Sequence, residues 1–284
     1  ELSEFDSVKR ISAKLFRQKL ESVASDRSQT QKRNPIPEDY AAHFSGGIEI
    51  DSPCLLTPER DVLSDVLKLI NEWKADPEDE NSLALYGEKG VGKSVLFERI
   101  ARTVEDLEVV RIIIPGGMNS PEEVTKLFAE SLGLDPDGDL SQIYKWDKQR
   151  EKKTLVLIDD THNLFLASVG GFDGYRKFLD LINMRLSNIF WCAAFNLHSW
   201  NYLKSVFRRS QFFRHTVMVP SLSDEDIEKL ILTRHKLTDY GLSYDDIIYA
   251  TQSARNYETA DHAETQFFRL LWELSKGNPR SALS

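Results

Sequence analysis

Gly87-Glu88-Lys89-Gly90-Val91-Gly92-Lys93-Ser94 sets three glycines and two lysines just ahead of a serine, between an apolar run and a helix-spaced one. A phosphate chain is held by a concave ring of backbone N–H groups, and a turn tight enough to form that ring needs dihedrals that glycine adopts without strain. The eight residues match G-x-x-x-x-G-K-[ST], the phosphate-binding loop pattern. In that reading Gly87, Gly90 and Gly92 supply the freedom, and Gly87 to Val95, with Glu88, Lys89 and Val91 among them, line the phosphates. Lys93 reaches the outer phosphates and the Ser94 hydroxyl ligates magnesium. The helix start behind the loop adds unpaired N–H groups and a favourable dipole.

A second constellation lies downstream. Lys153 to Asp160, KTLVLIDD, is an apolar run of strand length ending in two acids. Ligands of parallel sheets bind at the C-terminal ends of the strands, which is where those carboxylates would stand. Asp159 is expected to hold the hydrated magnesium, and Asp160 to orient or deprotonate an attacking water. The implied cofactors are ATP and Mg2+.

The elements that must position these groups follow from the pattern. Strands are predicted at Ser82–Tyr86, Glu108–Ile114, Lys153–Asp160, Asn188–Phe195 and Thr216–Val219. Helices are predicted to start at Thr57-Pro58-Glu59 and at Ser120-Pro121, with others at Ser94–Val104, at Tyr175–Leu186 and from Ser223 onward. Alternating strands and helices give an α/β fold. It is a parallel five-stranded sheet sandwiched by helices, with an inserted strand between the phosphate-loop strand and the double-aspartate strand, and a C-terminal helical lid. The expected domains are 1–37, an amphipathic basic helix and linker; 38–221, the α/β core; and 222–284, the lid. Asp135 to Asp139, DPDGD, lacks the length and closing glutamate of a calcium loop and reads as a turn.

Composition narrows the function classes. With 41% hydrophobic and 29% charged residues the chain can bury a core, and it has no membrane-length apolar run. Its two cysteines, Cys54 and Cys192, make no metal or disulfide framework, so a cytoplasmic setting is expected. The net charge of −9 disfavours a general nucleic-acid surface. Charge is uneven: Glu1 to Arg33 holds eight basic and five acidic residues, and none of the acids falls between Val8 and Leu20. That segment reads as a basic amphipathic helix that packs on this chain, on a second copy, or on an anionic partner or membrane surface.

GEKGVGKS, LVLIDDTHNL, FWCAAFN and GNPRSA together resemble the AAA+ ATPases, most closely the clade of origin-recognition ATPases, transposition regulators and STAND signalling ATPases. The resemblance spans Gly87 to Ala282. It implies that Asn196 is sensor 1, holding the attacking water, and that Arg280 is sensor 2, reporting the γ-phosphate to the lid. It also implies an arginine finger in Ser205–Arg214, with Arg209 preferred over Arg208 and then Arg214; basic residues on a solvated face are the alternative. Asp160 departs from the family's usual glutamate, and slow hydrolysis would follow. His162 and Asn163 follow the family style without a derivable role. The chain ends just inside the segment opened by Asn278, so a longer protein with an output domain is expected. The function expected is an ATP-hydrolysing, self-associating switch acting on a protein partner; a nucleotide-gated scaffold and a DNA-associated regulator are the alternatives.

Overall fold

The computed structural model describes residues 36–44, 58, 60–77, 81–166, 170–207, 213–244 and 260–284. In chain order the elements are α1 (Glu38–Phe44), α2 (Asp61–Ala75), β1 (Ser82–Gly87), α3 (Lys93–Thr103), β2 (Glu108–Ile113), α4 (Pro121–Ser131), α5 (Ser141–Gln149) and β3 (Thr154–Asp159). A 3₁₀ turn (Thr161–Leu164) follows, then α6 (Asp173–Ile182), β4 (Ile189–Asn196), α7 (Leu197–Val206), β5 (His215–Met218), α8 (Asp224–His235), α9 (Ala260–Ser275) and α10 (Pro279–Ala282). They form two compact units, one of residues 59–220 and one in which α1 joins the elements after 220.

The first unit is a five-stranded parallel sheet in the order β2-β3-β4-β1-β5. Its central strands read as unbroken apolar runs because both faces are covered. Along β4, Ile189, Trp191, Ala193 and Phe195 enter one core with Phe128 and Phe178, whereas Phe190, Cys192 and Ala194 enter the other with Ile70, Trp73 and Ile100. Cys192 is a buried free thiol, pushed well up by desolvation and so inert.

The strand standing between β1 and β3 in the sheet is β4, while β2, which separates them in sequence, lies at the edge. At the edge β2 is covered only in part: Ile112 is buried and Ile113 is 68% exposed. The helix expected to start at Thr57-Pro58-Glu59 starts instead at Asp61, with Arg60 in extended backbone at its cap position. Helices α5 and α7 lacked a distinct signal in the pattern. Asp147 of α5 is buried and accepts the Ser187 and Asn188 N–H groups, tying that helix to the entry of β4.

The second unit is helical, with Leu222, Ile227, Leu230, Ile231, Phe268 and Ala282 at its centre and Phe44 packed on them. Helix α1, expected in the α/β core, packs here through the Arg234 bond to the His43 carbonyl and the Tyr40–His235 contact. Ser223 caps α8 and Asn278 caps α10, as their sequence positions imply. The basic segment 1–33 and Cys54 lie outside the described residues. No described helix is long and apolar enough to cross a membrane.

Candidate nucleotide site

The phosphate loop joins β1 to α3 as the spacing predicts. Gly90 and Gly92 have φ of 87° and 98°, in the left-handed region, and Gly92 caps α3. Gly87 is required for a different reason from the one its pattern suggests. Its φ is not positive; instead, a β-carbon there would stand 2.7 Å from the Val219 carbonyl oxygen. Val91 is buried, so its contribution to the loop is backbone.

Lys93 folds back onto the loop, its Nζ donating to the Gly87 carbonyl at 3.1 Å and the Glu88 carbonyl at 2.9 Å. Burial lowers its pKa, and the nearby Asp159 and Asp160 charges oppose that shift. Ser94 and Asp159 meet directly: Ser94 Oγ donates to Asp159 Oδ2 at 2.5 Å, joining the start of α3 to the end of β3. A hydroxyl and a carboxylate that close are an all-oxygen donor pair of the kind magnesium takes. The other carboxylate oxygen, Oδ1, accepts the Asp160 N–H at 2.8 Å.

Asp160 is exposed, with φ 52° and ψ 32°, and opens the 3₁₀ turn. Aspartate is among the few non-glycine residues that tolerate the left-handed region. Three bonds hold that turn: the Asn163 N–H donates to the Asp160 carbonyl, Thr161 Oγ1 to the Ile158 carbonyl, and Asn163 Nδ2 to the Ile114 carbonyl. His162 lies inside it with Nδ1 3.9 Å from Asp160 Oδ1. Its Nδ1 is buried and without a hydrogen-bond partner.

Asn196 ends β4 directly opposite Gly87 in the parallel register. Its Oδ1 accepts the Ser199 N–H at 2.7 Å, capping α7. The amide nitrogen is thus the half of the side chain left to donate. The structure therefore gathers Lys93, Ser94, Asp159, Asp160 and Asn196 at the C-terminal edge of one sheet. Arg280 belongs to the helical unit, exposed on α10. Arg208 and Arg209 lie outside the described residues. Arg214 is exposed just before β5, its N–H bonded to Ser82 Oγ, at the sheet edge opposite the loop.

One residue here carries no sequence signal. Arg60 Nη1 donates to the Val91 carbonyl at 2.8 Å and Nη2 to the Pro220 carbonyl. Backbone carbonyls are acceptors that every residue carries, so these two bonds leave no mark in the pattern.

An AAA domain profile matches residues 75–194. No curated protein matches the chain in sequence. Among solved structures it is similar to the Aeropyrum pernix Orc1 protein in complex with DNA, at 16% identity and a TM-score of 0.51, covering 83% of this chain and 64% of that one. The Aeropyrum pernix ORC2 protein in its ADPNP-ADP complexes gives 14% identity and a TM-score of 0.50, covering 82% of this chain and 66% of that one. The Cdc6p protein of Pyrobaculum aerophilum gives 17% identity and a TM-score of 0.50, covering 84% and 65%. The chain thus spans just under two thirds of the length of these structures. Residues 75–194 thus match an AAA domain, within a P-loop α/β fold that the chain shares with these structures.

Proposed function

We propose that the chain binds ATP with magnesium and hydrolyses it, and that it works as a self-associating switch on a protein partner. The observation that carries the reading is the 2.5 Å bond between Ser94 and Asp159, with Lys93 and Asp160 beside it. Those two oxygens would hold the magnesium, which when bound supplies positive charge against the phosphates. Lys93, moving off the loop carbonyls, bridges the outer phosphates. Asp160 orients or deprotonates the attacking water, and the Asn196 amide nitrogen steadies it. Arg280 reports the γ-phosphate to the helical unit.

Trans action by Arg214 is supported by the edge on which its backbone lies. A guanidinium on the far side of the sheet serves a neighbour's phosphates rather than its own. The protein partner is favoured over DNA by the net charge of −9, although one similar structure is a DNA complex. The shorter Asp160 arm favours slow turnover, and a scaffold with almost none is the second reading.

The test is steady-state phosphate release from ATP, with magnesium and with a chelator. Release that needs magnesium and vanishes in Lys93→Ala is expected. Saturable ATP binding with release at the buffer rate would leave the scaffold, and no saturable binding would end both readings.

A further inference from the structure

The Arg60 side chain spans from the phosphate loop to the exit of β5, and the binding reading does not use it. Its fork bonds two carbonyls from segments far apart in sequence, Val91 in the loop and Pro220 after the edge strand. At its cap position it makes no side-chain capping bond to α2. The Pro220 end is itself fixed, because the Val219 N–H donates to the Tyr86 carbonyl at 2.8 Å.

We infer that Arg60 is a positioning residue for phosphate binding, aiming the Gly92 N–H into the loop by holding the carbonyl of the same peptide unit. A trans peptide is planar, so its C=O and N–H point in opposite directions. Anchoring the Val91 oxygen on Arg60, behind the loop, turns the Gly92 N–H the other way. Gly92 most needs this constraint, since glycine at its left-handed φ of 98° has little intrinsic preference for one peptide orientation. Arg60 Nη1 is also the nearest atom, at 3.6 Å, to the position a β-carbon on Gly92 would take. A planar guanidinium makes two bonds in a fixed fork, a geometry that a lysine ammonium does not reproduce.

The inference rests on the phosphate-binding reading, so its test carries a control for that reading. Affinity of the full chain is measured for labelled ATP and, by competition, for tripolyphosphate, which has no base or sugar. Arg60→Ala is expected to weaken both by the same factor, about tenfold or more, as one misdirected hydrogen bond to a charged group would. Arg60→Lys should recover only part. Unchanged affinity in Arg60→Ala, alongside a loss in Lys93→Ala, overturns the inference and leaves the loop reading intact. A loss for ATP but not for tripolyphosphate also overturns it, because Arg60 would then act on the base or ribose. No loss in Lys93→Ala ends the loop reading itself. If Arg60→Ala does not fold, Arg60→Gln, which keeps a donor for one carbonyl, carries the same comparison.

Discussion

Gly87 and Val219 meet backbone to backbone: the Val219 carbonyl oxygen is 2.7 Å from where a Gly87 β-carbon would stand, and Val91 Cγ1 is 3.1 Å from it. Neither the carbonyl nor the loop can yield cheaply, because the Val219 N–H is bonded to Tyr86 and Val91 is core. Gly87→Ala is therefore expected to destabilise the α/β unit by about 1–3 kcal/mol, the usual range for forcing atoms into a packed site. Denaturant melts of the two proteins without nucleotide measure it, and coincident midpoints would show that β5 gives way freely.

What the sequence made legible, and what it hid, divides along physical lines. The loop and the double aspartate were readable because glycine spacing and a strand ending in acids are local patterns, whereas Asn196 was named only through the family resemblance. The order β2-β3-β4-β1-β5 was not, since which strand inserts is settled by packing between distant segments. Gly87 was found for the wrong reason: its pattern position is local, but the atom that forbids a side chain comes from Val219. Arg60 and Asp147 were missed because each bonds backbone groups, which every residue has. Helix α1 was assigned to the wrong unit because a seven-residue segment with no buried residue carries no signal for what it packs against.

Ser94→Ala should raise the magnesium concentration needed for half-maximal phosphate release while leaving nucleotide binding in a chelator nearly unchanged. It removes one oxygen of the pair with Asp159 and leaves the loop N–H ring alone. An unaltered magnesium dependence would take Ser94 out of the metal site.

Asp160→Asn keeps the shape and the tolerance of left-handed backbone, but removes the carboxylate. ATP affinity should hold within about threefold while turnover falls about 10²–10⁴-fold, the span of general-base contributions. The reverse pattern, lost binding with normal turnover of what binds, would exchange the roles of Asp159 and Asp160.

Burial lowers the His162 pKa below its ordinary 6.5, and Lys93 and Lys89 push the same way against Asp160 and Asp159. With the folded value depressed, the unfolded chain binds the extra proton first as pH falls. Stability contributed by neutral His162 is thus present above 6.5 and is lost as pH drops through the folded value. His162→Asn should therefore lose less stability than wild type between about pH 7.5 and about pH 5.5. Parallel urea midpoints over that range would show that the histidine titrates alike folded and unfolded.

The last prediction concerns the arginines at 208, 209 and 214. If one of them completes a neighbour's site, an Arg209→Ala chain still has an intact loop and Asp160, while an Asp160→Asn chain still has its arginines. Each mutant lacks what the other supplies. Mixed in equal amounts, the two can form interfaces in which an intact site faces an intact arginine, so activity should exceed the sum of the separate proteins. Wild-type activity per protomer should also rise with concentration, because a site completed by a neighbour's arginine forms only when copies associate. Arg208→Ala and Arg214→Ala, mixed in the same way, identify which guanidinium acts. Flat activity per protomer with no recovery in any mixture would leave a monomeric switch and return all three arginines to the solvated face of an acidic domain.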